Sequence, residues 1–115
     1  MMALATTGKA LGDPDTYAIS PAIKRYTLMD LGFTKTKNGG FQLARSLDPN
    51  SPFTAAPKLK MMVSADLSAF QLSVTTGNGL KAIDIFKTAA TSDNVVQYHY
   101  ILAELIERSV LVKTN

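Results

Sequence analysis

The run SDNVVQYHYILAELIERSVLV, from Ser92 to Val112, constrains this chain more than any other stretch, because its apolar residues recur with the period of a helix. At ~100° per residue, Val95, Tyr98, Leu102, Leu105, Ile106 and Ser109 fall within about a third of the circumference, with Gln97, Tyr100, Glu104, Glu107 and Arg108 opposite. Glu104 and Arg108 stand i,i+4 in the favourable order, worth only ~0.2–0.5 kcal/mol, so packing of the stripe has to hold the helix. Ser92, Asp93 and Asn94 can each accept a hydrogen bond from an orphan amide, and Asn94 with Gln97 has capping-box spacing, so the helix is expected to begin near Asn94. No Gly or Pro follows it, and Val110 and Val112 dilute the helical preference, which leaves an end between Ser109 and Leu111.

A helix with one apolar stripe needs a surface to cover, and the rest of the chain supplies strands. Gly12-Asp13-Pro14-Asp15 reads as a turn into a strand over Thr16 to Ser20. Two readings compete for the next segment: a helix over Ala22 to Leu31 capped by Ser20-Pro21 and closed by Gly32, or a strand through Tyr26 to Leu28 with one turn at Leu28 to Leu31; the second is preferred. Phe33 to Lys37 and Phe41 to Leu47 flank Asn38-Gly39-Gly40, a hairpin signal, and a three-residue loop puts Phe33 on the side of Phe41, Leu43 and Arg45. Asp48 to Pro57 carries three prolines and is the longest loop expected. Leu59, Met61 and Val63 then alternate with polar neighbours, Asp66-Leu67-Ser68 turns the chain, and Phe70, Leu72 and Val74 alternate again. A two-residue turn at Asn78-Gly79 sets Val74 opposite Ile83 and Leu72 opposite Ile85, with a strand over Leu80 to Lys87. The fold class expected is α+β: two antiparallel β-sheets or meanders packed against one long C-terminal amphipathic helix.

With 115 residues the chain has the size of one domain, residues 1–115, with a frayed N-terminus over residues 1–11. Hydrophobic residues at 46% and charged residues at 18% exclude disorder as the main state. No apolar run approaches the ~20 residues of a membrane span, and the first residues lack a signal peptide's apolar core, so no membrane association and a cytoplasmic location are expected. The absence of cysteine removes disulfides, thiolate nucleophiles, persulfide carriage and cysteine metal sites together. One histidine makes a transition-metal cage improbable, and no cofactor is expected.

Two side chains stand out as ligand-binding candidates. Arg45 alternates with Phe41, Leu43 and Leu47, which puts a bidentate guanidinium on an apolar face; it binds a small anionic ligand there, or snorkels to the edge, or pairs with Asp30 or Asp48. His99 sits ~60° from Leu102 at the margin of the stripe, between Tyr98 and Tyr100, as a base or ligand hook or as a boundary residue. The net charge of +3 is too small to diagnose nucleic-acid binding. The strand lysines Lys35, Lys37, Lys58, Lys60, Lys81 and Lys87 read as a solubilising trim, since no aromatic alternates with them, and RNA association is the weakest binding alternative. Gly77-Asn78-Gly79 lacks phosphate-loop spacing, and no serine has triad partners beyond His99.

Ser20-Pro21, the run YTLMDLGFTKTKNGGFQLARSLDPNSP from Tyr26 to Pro52, and TTGNGLKAIDIF from Thr75 to Phe86 resemble an uncharacterised family of small proteins from lactic-acid bacteria and their relatives, catalogued only as a domain of unknown function. The resemblance covers nearly the whole chain and implies an α+β fold of two β-sheets against a single helix. Members tend to be encoded near pyridoxal-phosphate enzymes of the cysteine desulfurase type, which implies a place in amino-acid or sulfur metabolism. A chain without thiols cannot accept a persulfide, so the expected role is a non-enzymatic adaptor or regulator with such an enzyme as partner. The alternative is a domain that binds an amino acid or related anion. The sequence leaves the oligomeric state open.

Overall fold

In chain order the elements are β1 (Thr7–Gly8), β2 (Tyr17–Ile19), α1 (Arg25–Asp30), β3 (Thr34–Lys35), β4 (Phe41–Ser46), β5 (Lys58–Val63), β6 (Phe70–Thr75), α2 (Ser92–Glu107) and β7 (Leu111–Lys113). The structure is a computed structural model that describes residues 5–10, 12–47, 57–76, 81–86 and 92–114. The fold is α+β. A four-stranded antiparallel sheet runs β3-β4-β5-β6 and a three-stranded one runs β1-β2-β7.

The large sheet follows from its alternation. Phe41 and Leu43 on β4, Leu59, Met61 and Val63 on β5, and Phe70, Leu72 and Val74 on β6 are all buried, while Gln42, Ala44 and Met62 between them are exposed. The β3–β4 hairpin has the three-residue loop expected, one position earlier: Thr36 N–H donates to the Gly40 carbonyl at 2.9 Å and Lys37-Asn38-Gly39 form the loop. Gly39 takes φ +84°, which a side chain would oppose. Because the side-chain period is two, the shift keeps Phe33 on the buried face with Phe41 and Leu43. Leu47 N–H donates to the Pro57 carbonyl at 2.9 Å, closing the base of the proline-rich loop, whose residues 48–56 lie outside the described set.

Past β6 the expected register holds for one step. Thr75 and Ala82 bridge, and Ile83 N–H donates to the Val74 carbonyl at 2.9 Å. The strand expected over Leu80 to Lys87 does not continue, because the Asp84 carboxyl accepts the Phe86 N–H at 2.8 Å and turns the backbone away. Ile85 is buried all the same, and the Asn78-Gly79 turn lies outside the described residues.

Between Ser20 and Gly32 the preferred strand gives way to the helical alternative, which lies inside Ala22 to Leu31 and closes at Gly32 as that reading expected but starts only at Arg25, without a Ser20-Pro21 cap. It is a six-residue helix, so a second helix accompanies the long one and no strand passes through Tyr26. Gly32 at φ +98° ends it: Phe33 N–H reaches the Leu28 carbonyl at 3.0 Å and Gly32 N–H the Met29 carbonyl at 3.2 Å, the two bonds of a Schellman motif, with Leu28 and Phe33 buried together.

The long helix α2 ends the same way. Ser109 takes φ 62°, its N–H reaches the Ile106 carbonyl at 3.1 Å, and Val110 N–H reaches the Leu105 carbonyl at 2.9 Å. The stop that the sequence did not display is therefore a serine in glycine's place. Beyond it the chain forms β7, antiparallel to β2 with Ile19 opposite Leu111, a strand that the valines signalled and the helical reading absorbed.

The N-terminus is not frayed where it is described. Thr7 pairs with Ala18 in the small sheet, whereas Ala5 pairs with Phe70 of the large one, its N–H and carbonyl both engaged at 2.9 and 2.8 Å. One short segment thus joins the two sheets. A continuous cluster of buried residues, including Leu28 and Phe33 from the α1 end and Tyr98, Ile101, Leu102 and Leu105 from α2, forms the core between them.

Candidate functional site

The apolar face of α2 is turned from the expected stripe. Tyr98, Ile101, Leu102 and Leu105 are buried, but Ile106 is 37% exposed and Ser109 is exposed, a rotation of roughly 40° toward Ile101 at ~100° per residue. Two polar ties act on that flank. Asn94 is not a cap: its side-chain amide donates to the Leu47 carbonyl at 3.0 Å from inside the first turn. Glu104 does not pair with Arg108 but accepts from Arg45 Nη1 at 3.4 Å, both side chains being about two-fifths exposed. Arg108 reaches Asp30 instead, at 3.7 Å.

Arg45 therefore stands at the seam between β4 and α2, beside Glu104 rather than the Asp30 expected, while Asp48, the other partner expected, lies outside the described residues. His99 is exposed and lies edge-on to Phe86 and Tyr98, with ring centroids 6.0 and 5.4 Å away. Roughly 140° of helix separates it from Glu104, so the two candidate ligand residues occupy different flanks of α2.

A third group of ionisable side chains escaped the sequence reading. The Tyr98 hydroxyl donates to Asp13 Oδ2 at 2.6 Å, and Asp15 N–H donates to Oδ1 at 2.9 Å. Tyr17 lies near the same carboxyl group: burial first, then the charges of Asp13 and Asp15, push its phenol up to about 12 from 10.0. Burial and the same carboxyl group drive Tyr98 higher still. Asp13 is 1% exposed and Tyr98 is 0% exposed, so a substrate cannot reach the pair, and its work is to lock the N-terminal segment onto α2. Eighty-five residues separate the partners, and no periodicity or spacing marks such a contact.

Two surface clefts accompany these groups. One of about 340 Å³ lies on the outer face of the large sheet, among Gly32, Thr34, Gln42, Ala44, Lys60 and Met62. The other, of about 580 Å³, lies where the N-terminal segment passes the β5–β6 turn, between Thr6, Ile19, Ile23 and Asp66. Asp66 is held well below the usual carboxylate range, at about 2, by hydrogen bonds from the Ser68 and Ser64 hydroxyls. Among the described residues no group of three His, Asp or Glu side chains is placed to hold a metal, and no helix is long and apolar enough to cross a membrane.

Residues 2–112 match the model of the family DUF1831, described as "Putative amino acid metabolism". No curated protein matches the chain. Among solved structures it is similar to the crystal structure of a DUF1831 family protein from Lactobacillus plantarum, with 52% identity, a TM-score of 0.90, and coverage of 99% of this chain and 100% of the other.

Proposed function

This chain belongs to the DUF1831 family, and from that membership we propose that it serves amino-acid metabolism as a non-enzymatic regulator or adaptor that docks on a partner enzyme. The observation that carries the reading is the outward face of α2. Val96 is 69% exposed and Tyr100 is 64% exposed one turn later, with Ala103 and Glu107 continuing the same line. An exposed tyrosine beside an aliphatic residue on a rigid helix offers a large apolar contact at little cost in conformational entropy, the kind of anchor found at the centre of protein interfaces. The acidic group nearest the core, Asp13, is meanwhile committed within the fold to Tyr98.

The partner proposed is a pyridoxal-phosphate enzyme of amino-acid or sulfur metabolism, of the cysteine desulfurase type. Without a cysteine the protein accepts no sulfur from it and acts by contact alone. Affinity purification of the tagged protein beside its Val96→Glu/Tyr100→Glu variant, read by quantitative mass spectrometry, tests this. The expected result is such an enzyme enriched about tenfold or more by the parent over the variant, a difference of ~1.4 kcal/mol or more. Recovery of no amino-acid enzyme, or equal recovery by both proteins, overturns it.

A second reading, binding of a free amino acid, is favoured by the Arg45–Glu104 pair. Its opposite charges match the carboxylate and ammonium of a zwitterion, and the half-exposed pair is loose enough at 3.4 Å to exchange partners. A thermal-shift screen tests it: an amino acid at 100 times its dissociation constant adds ~2.7 kcal/mol of stability, and Arg45→Ala abolishes that gain. A gain that survives in Arg45→Ala removes Arg45 from the site.

A further inference from the structure

The outer face of the large sheet carries an unusual distribution of charge. β3, β4, β5 and β6 contain no Asp or Glu. Lys60 projects from the centre of that face, between Ala44 on β4 and Ser73 on β6, both directly opposite it in the register and both small. Lys60 is half-buried there, no Asp or Glu on the sheet neutralises its ammonium, and no ion pair among the described residues involves it. One pleat further along, the row Thr34, Gln42, Met62 runs across three strands in register. Successive outward residues on a strand stand ~7 Å apart and neighbouring strands ~4.8 Å apart, so Lys60, Ala44, Gln42 and Met62 make the corners of a rectangle the size of one amino acid.

The 340 Å³ cleft occupies this rectangle. Ala44 gives it depth, because a methyl group forms the floor where any longer side chain would fill it. Its walls differ in chemistry: a cation at Lys60, a carboxamide at Gln42, a hydroxyl at Thr34, and an apolar thioether at Met62, which is 40% exposed. A volume at the lower end of the range for small-molecule sites, with a few convergent polar groups and an apolar wall, suits a small ligand rather than a polymer.

We propose that this cleft binds a small α-carboxylate bearing an apolar side chain, of the amino-acid class. The carboxylate accepts from the Lys60 ammonium, and the α-substituent meets the Gln42 carboxamide and the Thr34 hydroxyl. The side chain lies over Ala44 against Met62. The choice of ligand class draws on the proposed place in amino-acid metabolism, but the binding needs no partner protein. The surface is separate from the exposed face of α2, so the two proposals fail independently.

The test is a two-dimensional amide NMR titration of the isolated full chain with L-leucine, with its 2-oxo acid, and with sulfate as a plain anion. The expected result is saturable shifts centred on Thr34, Gln42, Ala44, Lys60 and Met62 with one or both carboxylates, and none of that pattern with sulfate. A response to leucine alone shows that the ammonium is read, and a response to both that the carboxylate and side chain suffice. Lys60→Met should weaken binding about tenfold or more, and Ala44→Leu should abolish it by filling the floor. Both positions face outward, so the spectra of the variants report at once that the fold persists. The proposal is overturned by the absence of saturable shifts up to ~10 mM, which corresponds to less than ~3 kcal/mol of binding, by shifts centred elsewhere, by sulfate matching leucine, or by Lys60→Met binding as well as the parent.

Discussion

Tyr98 meets two demands with one side chain: its ring fills the core at 0% exposure, and its hydroxyl serves the buried Asp13 carboxyl at 2.6 Å. Tyr98→Phe preserves the first and removes the second, leaving an acceptor short of a donor, so it is expected to cost ~1–3 kcal/mol in urea unfolding. Tyr100→Phe, on the exposed face, should stay within ~0.5 kcal/mol. The same cluster sets the alkaline limit. Tyr17 and Tyr98 both have folded pKa values above the unfolded value near 10, so between those values the native state holds more protons than the unfolded chain. The tyrosine contribution is therefore complete below pH ~10 and declines as pH rises through about 12, the Tyr17 value. Unfolding curves at a series of pH values above 9 should show stability falling in that window, and Tyr17→Phe should flatten the fall; an unchanged slope in Tyr17→Phe would remove this residue from the account.

At the scale of elements, helix ends decide more than helix middles. Ser109 occupies the left-handed position that closes α2 at φ 62°, where a Cβ costs roughly 1 kcal/mol. Ser109→Gly is accordingly expected to raise stability by up to ~1 kcal/mol and Ser109→Val to lower it, a pair of opposite shifts readable as melting temperatures. In the middle of α2, Leu102→Asp should abolish folding because it buries a charge, whereas Glu104→Gln disturbs only a half-exposed ion pair and should cost under ~1 kcal/mol. The elements that were legible in the sequence share one property: their signal is local. Alternation along β4, β5 and β6, the Gly39 loop, the stripe of α2 and the Val74–Ile83 register all follow from residues a few positions apart. What was hidden depends on distant partners. β7 reads as more helix until β2 is beside it, α2 turns on its axis because Leu47 and Arg45 hold one flank, and the strand after Asn78-Gly79 stops at a side-chain bond from Asp84. The candidate binding residues divide the same way: Arg45 could be placed on a face from its alternation, but its true partner, Glu104, is 59 residues away.

For the molecule as a whole, the two sheets are joined by a backbone pair rather than by a long shared strand. Ala5 exchanges both hydrogen bonds with Phe70, while Thr7, two residues on, belongs to the other sheet. A chain beginning at Thr6 loses that junction with its two backbone hydrogen bonds and should be less stable by ~1 kcal/mol or more in urea while keeping β1. An unchanged midpoint would show the junction to be a passive contact. The partners of β2 have a further consequence, for the order in which the protein can be made. Asp13 waits for Tyr98, Ser20 for Val110 and Thr16 for Thr114, so the small sheet and its lock to α2 need residues from both ends of the described chain. During synthesis the large sheet can assemble while these early residues stand idle, their apolar faces open to chaperones or to one another. The last turn of α2 and β7 are then the pieces whose arrival ends that exposure, and a ribosome stalled before residue 110 should hold a chain whose N-terminal segment is still cut by protease while β4 to β6 are already protected.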